Sequence, residues 1–158
     1  MEVKNRTISL IVKNRPDVLA RIAGTFSGRG FNIENISANV TMDPSVTKIT
    51  IVTTGDSATV LKIEKQLRKL VDIITVNFIP PETSVQREMI LIRIKIPDNS
   101  SRSELLKLAA QNHCRVIGEG EATVTLECTG ASEEIDRALS FFKVYTIEDM
   151  SRSGIVAL

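Results

Sequence analysis

Apolar residues alternate with polar ones at Ile8, Leu10 and Val12, and then the period lengthens, so that Val18, Leu19, Ile22, Ala23 and Phe26 share one face of a helix opened by Pro16 and Asp17. The pattern predicts a strand over 6–13 and a helix over 17–28. It continues with strands over 33–42 and 47–54, where Ile49 and Ile51 alternate with Lys48 and Thr50. A helix over about 57–70 carries Val60, Ile63, Leu67 and Leu70 at helical spacing, and a strand covers 72–79. Pro80-Pro-Glu-Thr-Ser84 then interrupts the pattern as a linker. Beyond it Ile90, Ile92, Ile94 and Ile96 alternate as a strand, and Leu105, Leu108 and Ala109 mark a helix opened by Ser101 or Ser103. Strands near 114–118 and 121–128 flank the Gly118-Glu-Gly120 turn, a helix over 131–143 carries Ile135, Ala138, Leu139 and Phe142, and a last strand covers 144–157. The β-α-β-β-α-β order occurs twice, which makes this an α+β chain of two split βαβ, ferredoxin-like units. The expected division is a first domain over 1–80, a linker over 81–85 and a second domain over 86–158.

Composition removes several classes of function. Lys and Arg total 20 against 19 acidic residues in 158, with no basic block, so neither nucleic acid nor an anionic membrane is an expected partner. No apolar run reaches the roughly 20 residues of a membrane span, and Met1-Glu-Val-Lys-Asn-Arg leads into a strand without a signal-peptide core, so a cytoplasmic location is expected. Cys114 and Cys128 are too few for a disulfide framework and read as reduced thiols. The single histidine, His113, has neither companions nor spacing for a metal site and reads as a surface or strand-end residue. Gly28-Arg-Gly30 sits where a helix ends, so Gly30 is a left-handed C′ residue rather than part of a phosphate loop. Glu127, Glu133, Glu134 and Asp136 read as a solvated face.

One stretch carries candidate chemistry. Asn14-Arg-Pro-Asp-Val-Leu joins a strand to a helix N-terminus, where unpaired amides and the positive end of the helix dipole accept a carboxylate or phosphate.

The motifs Asn14-x-Pro-x-x-Leu-x-Arg21, Arg29-Gly-Phe-Asn-Ile-Glu34, Gln66-Leu-x-Lys-Leu-Val71, Arg87-Glu-Met-Ile-Leu-Ile92 and Arg152-Ser-Gly-Ile-Val-Ala-Leu158 together resemble the small, regulatory subunit of acetohydroxyacid synthase, also called acetolactate synthase. The resemblance implies an amino-acid-binding ACT domain over about 1–80 with a smaller ferredoxin-like domain behind it. It implies a non-catalytic subunit that binds the thiamine-dependent catalytic large subunit, raises its activity and confers feedback inhibition by valine or another branched-chain amino acid. No cofactor or metal of its own is expected.

The same resemblance places effector contacts on Asn14, Asp17, Asn32 and Ile33. A free amino acid needs N–H donors for its carboxylate, oxygen acceptors for its ammonium and an apolar wall. The amides after Pro16 supply the first, the side-chain carbonyls of Asn14 and Asn32 the second, and Val18, Leu19, Ile33 and Ile36 the third. Asp17 stands where the family most often has glycine. As an N-cap it is expected to accept from the same amides and to oppose an effector carboxylate, lowering feedback sensitivity. Asn39 likewise replaces a usually small residue. Alternating Ile36, Ala38, Val40 and Met42 make 33–42 an edge strand in need of cover, so a homodimer through the ACT domains is expected. Competing readings fare worse. An acylphosphatase needs glycines that Asn14-Arg-Pro-Asp17 lacks, and an RNA-recognition module needs aromatic residues that Lys48-Ile-Thr-Ile-Val-Thr53 lacks. A stand-alone tandem ACT sensor controlling transcription or another enzyme is the stronger alternative.

Overall fold

A computed structural model describes residues 4–158, and the Met1-Glu-Val lead-in lies outside the described residues. The chain divides into two compact units, one running to Gln86 and taking in Ile155–Leu158, the other Arg87–Gly154. The last four residues therefore fall in the first unit, whereas the sequence pattern assigns all of 86–158 to the second.

The first unit contains β1 (Lys4–Lys13), α1 (Val18–Ser27), β2 (Asn35–Val40), β3 (Val46–Gly55), α2 (Ser57–Leu67) and β4 (Ile73–Ile79). Its antiparallel strands run β2-β3-β1-β4, the order of the split βαβ motif. Ile8, Leu10 and Val12 of β1, Ile49 and Ile51 of β3 and Val76 of β4 bury against Val18, Ile22 and Phe26 of α1 and Ile63 and Leu67 of α2. The apolar face of α1 is narrower than its pattern suggests, since Leu19 is 44% exposed. Gly30 has φ +69° and follows the helix, as a C′ glycine should.

The second unit repeats the arrangement with β5 (Gln86–Lys95), α3 (Asn99–Gln111), β6 (Arg115–Glu119), β7 (Thr123–Gly130), α4 (Ser132–Phe142) and β8 (Ile147–Arg152), in the order β6-β7-β5-β8. Ile90, Ile92, Ile94 and Ile96 form the spine of its core, packed by Leu105, Val124, Leu126, Ile135 and Phe142. Among the described residues no helix is long and apolar enough to cross a membrane.

Three expectations are corrected. The final strand is not continuous over 144–157: β8 ends at Arg152, and β9 (Val156–Ala157) is separate, because Gly154 at φ +79° turns the chain out of the extended region. Cys114 and Cys128 are joined as a disulfide. Arg115 pairs with Glu127, which puts the two cysteines directly across from one another with Cα atoms 4.4 Å apart, a register that a cysteine count does not reveal. Asp98, not Ser101 or Ser103, opens α3, its carboxylate accepting from the Ser101 amide at 2.7 Å. Glu133, Glu134 and Asp136 lie exposed, as a solvated face should, and Glu127 is half-buried; on that surface Asp136 takes Arg152 at 2.9 Å, Glu127 takes Arg115 at 3.6 Å and Glu134 accepts from the Ala131 amide at 2.7 Å. His113 closes the α3 end at φ +56°, a left-handed position that glycine more often fills.

Asp56 caps α2 as Asp98 caps α3, and amide hydrogen bonds, from Thr59 and Ser101 respectively, hold both carboxyls below their ordinary value of 3.8. Groups with a lowered folded pKa contribute stability above 3.8 and lose it as the pH falls through the lowered value. Asp98→Asn should therefore melt below the parent at neutral pH and together with it at about pH 2, a difference that thermal scans at the two pH values will read.

Candidate functional site

The turn between β1 and α1 is held from the neighbouring β2–β3 turn. Asn14 donates its amide N–H to Ser45 O at 2.7 Å and its side-chain NH2 to Pro44 O at 2.9 Å, leaving Oδ1 as the acceptor. That second turn is set by Asp43, whose carboxylate accepts from the Ser45 hydroxyl at 2.7 Å and the Ser45 amide at 2.9 Å; these bonds, the hydroxyl first, lower its pKa.

Asp17 occupies the N-cap position of α1 but makes no side-chain cap hydrogen bond, contrary to the expectation that it would take the first-turn amides. At φ −97° and ψ −3° its backbone is helical rather than extended, which is not the conformation from which an N-cap side chain reaches back. Its carboxylate forms an ion pair with Arg21, one turn along, while Arg21 and Arg15 also reach the buried carboxylate of Asp72 at 3.3 and 3.2 Å. The first-turn amides are thus left without a side-chain cap, and the Asp17 charge is met by a neighbouring cation.

A cavity of about 230 Å³ opens beside this turn, lined by Asn14, Val18 and Leu19 and, from the sheet, by Val12, Ala38, Val40 and Ile49. The structure thus gathers three of the seven residues expected from sequence. Asp17 lies next to the group but does not line the cavity. Asn32, Ile33 and Ile36 stand elsewhere. Asn32 O accepts from the hydroxyl of Thr53, which pairs with Arg6 at the far end of β1, and eight residues of strand separate Arg6 from Asn14, roughly 25 Å. Its side chain donates to Glu34 Oε1 at 2.7 Å. Ile33 packs partly buried against the core, and Ile36 is 36% exposed on β2. Asn39 donates to Ser37 Oγ, on the face of β2 opposite Ala38 and Val40. Ala38, Val40, Thr47 and Lys13 join the cavity without having been singled out as ligand contacts. The alternation of Ala38 and Val40 signals one face, but the strand register that brings it to α1 is a tertiary fact. No metal-binding cluster of His, Cys, Asp or Glu occurs among the described residues.

An uncapped helix terminus, a side-chain amide oxygen and an apolar wall form a half-shell for a small zwitterion with an aliphatic side chain. Two family models match in order: one described as an AHAS small subunit-like ACT domain over residues 8–75, the other as the small subunit of acetolactate synthase over 87–158. A probable acetolactate synthase small subunit of Methanothermobacter thermautotrophicus is 36% identical over 158 residues, covering 100% of this chain and 94% of that protein. The acetolactate synthase small subunit of Aquifex aeolicus is 32% identical, covering 99% and 82%. The solved small subunit from Thermotoga maritima matches with a TM-score of 0.91 and 30% identity, over 98% of this chain and 96% of that one.

Proposed function

We infer what this chain does from a premise now in hand: it belongs to the acetolactate synthase small-subunit family. It is a regulatory rather than a catalytic polypeptide, and its partner is a catalytic large subunit, as the names of its relatives imply. The finer reading is that it raises the activity of that thiamine-dependent subunit in branched-chain amino acid synthesis, in the cytoplasm, and makes it sensitive to valine or a related amino acid. The observation that carries this reading is the uncapped first turn of α1 beside the cavity walled by Val18, Leu19, Ala38 and Val40. Mixing the purified chain with the catalytic subunit tests it: the rate should rise and valine should then lower it. If the catalytic subunit neither co-purifies with the chain nor responds to it, a stand-alone ACT sensor is the better description.

The separation of Asn14 from Asn32 supports a site shared between two copies. Antiparallel pairing of β2 with β2 of a second copy, about a two-fold axis through Ala38, sets residue 32 of one copy opposite residue 44 of the other. Asn14 of that other copy is tied to Pro44 and Ser45. Each effector would then meet the α1 turn of one copy and Asn32 and Ile33 of the next, an isologous arrangement with two equivalent sites.

In this reading Asn14→Ala and Asn32→Ala each remove an acceptor for the ammonium and weaken valine binding by about 1 to 3 kcal/mol in calorimetric titration. Asp17→Gly removes a like charge near the effector carboxylate. Arg21 already offsets part of that charge, and like charges about 4 Å apart cost roughly 1 kcal/mol in water, so affinity should rise by up to about fivefold. An unchanged or lower affinity would make Asp17 a neutral turn residue or a ligand in its own right.

A further inference from the structure

A second cavity, of about 330 Å³, lies in the first unit at the opposite end of β1 from Asn14, and the residues that form it have no part in the effector reading. Two residues before Ile8, Arg6 shares the helix-covered face of the sheet, where Ile8 itself is fully buried. It projects where the core ends, roofed by Val60 and Leu61 of α2 and walled by Phe78 and Pro80. The Arg6 Nε is buried, and among the described residues it has no hydrogen-bond partner. The hydroxyl of Thr53, its cross-strand neighbour, is committed to Asn32 O. A guanidinium donor removed from water and left unpaired is costly, and buried donors in folded proteins nearly always find an acceptor.

The surroundings select the acceptor. Arginine offers Nε–H and one Nη–H side by side, a fork matched to the two oxygens of a carboxylate. Glu82 lines the same cavity and Asp56 caps the adjoining helix, so a ligand with two negative charges is disfavoured against one with a single charge. Val60, Leu61, Phe78, Ile79 and the two prolines make most of the wall apolar, with Asn5, Thr7 and Ser57 as neutral polar groups, and the volume falls at the lower end of the range for small-molecule sites. We propose that the Arg6 cavity binds a small aliphatic monocarboxylate, its carboxylate on the Arg6 guanidinium and its alkyl body against Val60, Leu61 and Phe78. No ammonium is needed here, which separates the ligand class from that of the site at Asn14.

Isovalerate is a suitable probe, because it has the carboxylate and branched body but no amino group. Titrated into the isotopically labelled full chain, it should shift the amide resonances of Ser57, Leu61 and Phe78 saturably, with a dissociation constant on the order of 1 mM or tighter. Isovaleramide, its uncharged counterpart, should bind at least about tenfold more weakly for want of the charge-assisted pair. Arg6→Gln should abolish the shifts and Asn14→Ala should leave them intact. Leu61→Glu, at an exposed position where folding is not at stake, should weaken binding by at least about tenfold through repulsion at the mouth. The proposal is overturned if isovalerate gives no saturable shifts, if the amide binds as well as the acid, or if the shifts centre on α1 and vanish in Asn14→Ala.

Discussion

Replacing Ala38 by proline is expected to turn a dimer into a folded monomer. In the antiparallel β2–β3 ladder hydrogen bonding alternates, and the Thr41 N–H donates to Val46 O, so the N–H groups of Ile36, Ala38 and Val40 point to the open edge. Proline at 38 removes one outward donor and sets its ring against any strand approaching there, while leaving the bonds to β3 in place. The helix-side face of that edge is apolar and uncovered: Val40 is 55% exposed, Met42 fully so, and Leu19 adjoins them. Two lost donors at about 1 kcal/mol each, one per copy, with the added steric conflict, amount to a hundredfold or more in dimerisation. Sedimentation equilibrium at tens of micromolar should show the parent as a dimer and the variant as a monomer with unchanged circular dichroism. Valine binding should fall with the dimer if the site is shared. A variant that still dimerises would move the interface elsewhere.

The second large effect lies away from any ligand. Glu88 at the start of β5 is buried to 5% exposure, and its carboxylate takes both Nε and Nη2 of Arg152, the former at 2.7 Å. Arg152 also reaches Asp136, and the hydrogen bonds it donates to Glu88, together with both negative charges, hold its guanidinium protonated, outweighing desolvation. Arg152→Met strands the Glu88 charge in the interior, at a cost of about 3 kcal/mol or more. For a unit of this size the melting temperature of the second unit should drop by roughly 10 to 20 °C. Glu88→Leu combined with Arg152→Met removes both charges and should recover most of the loss, because a buried ion pair and a well-packed apolar pair differ little in stability. A single variant that melts like the parent would show that the pair adds nothing.

These two predictions draw on different amounts of what a sequence displays. The Ile90–Ile96 alternation and the Val18, Ile22, Phe26 spacing are local periodicities, and each of these residues is buried as its period demands. The doubled β-α-β-β-α-β order follows from them. Leu19 shares the period of α1 yet is exposed, because burial of a helix side chain depends on what faces it, and Leu19 borders an open cavity at the sheet edge rather than the packed core. The partners of Glu88, Asp72 and Cys114 lie 64, 57 or 51, and 14 residues away in the chain, and no local period encodes which distant residue a strand register will deliver. The candidate site divides in the same way. Asn14 and the helix start are legible as a motif, whereas Ala38 and Val40 enter only through the pairing of β2 with β3.

The return of the chain to its first unit bears on how the protein is made. Ile155 N–H donates to Asn35 Oδ1, Lys48 donates to Ala157 O at 2.8 Å, and Leu158 and Val85 exchange two backbone hydrogen bonds. A ribosome delivers residues in order, and domains generally fold as they emerge, N-terminal first. Here the first unit cannot finish until residues 155–158 have been synthesised, after the whole of the second. During translation Asn35, Lys48 and Val85 wait with their partners unmade, so a message truncated at Pro80 yields a unit that lacks its final segment.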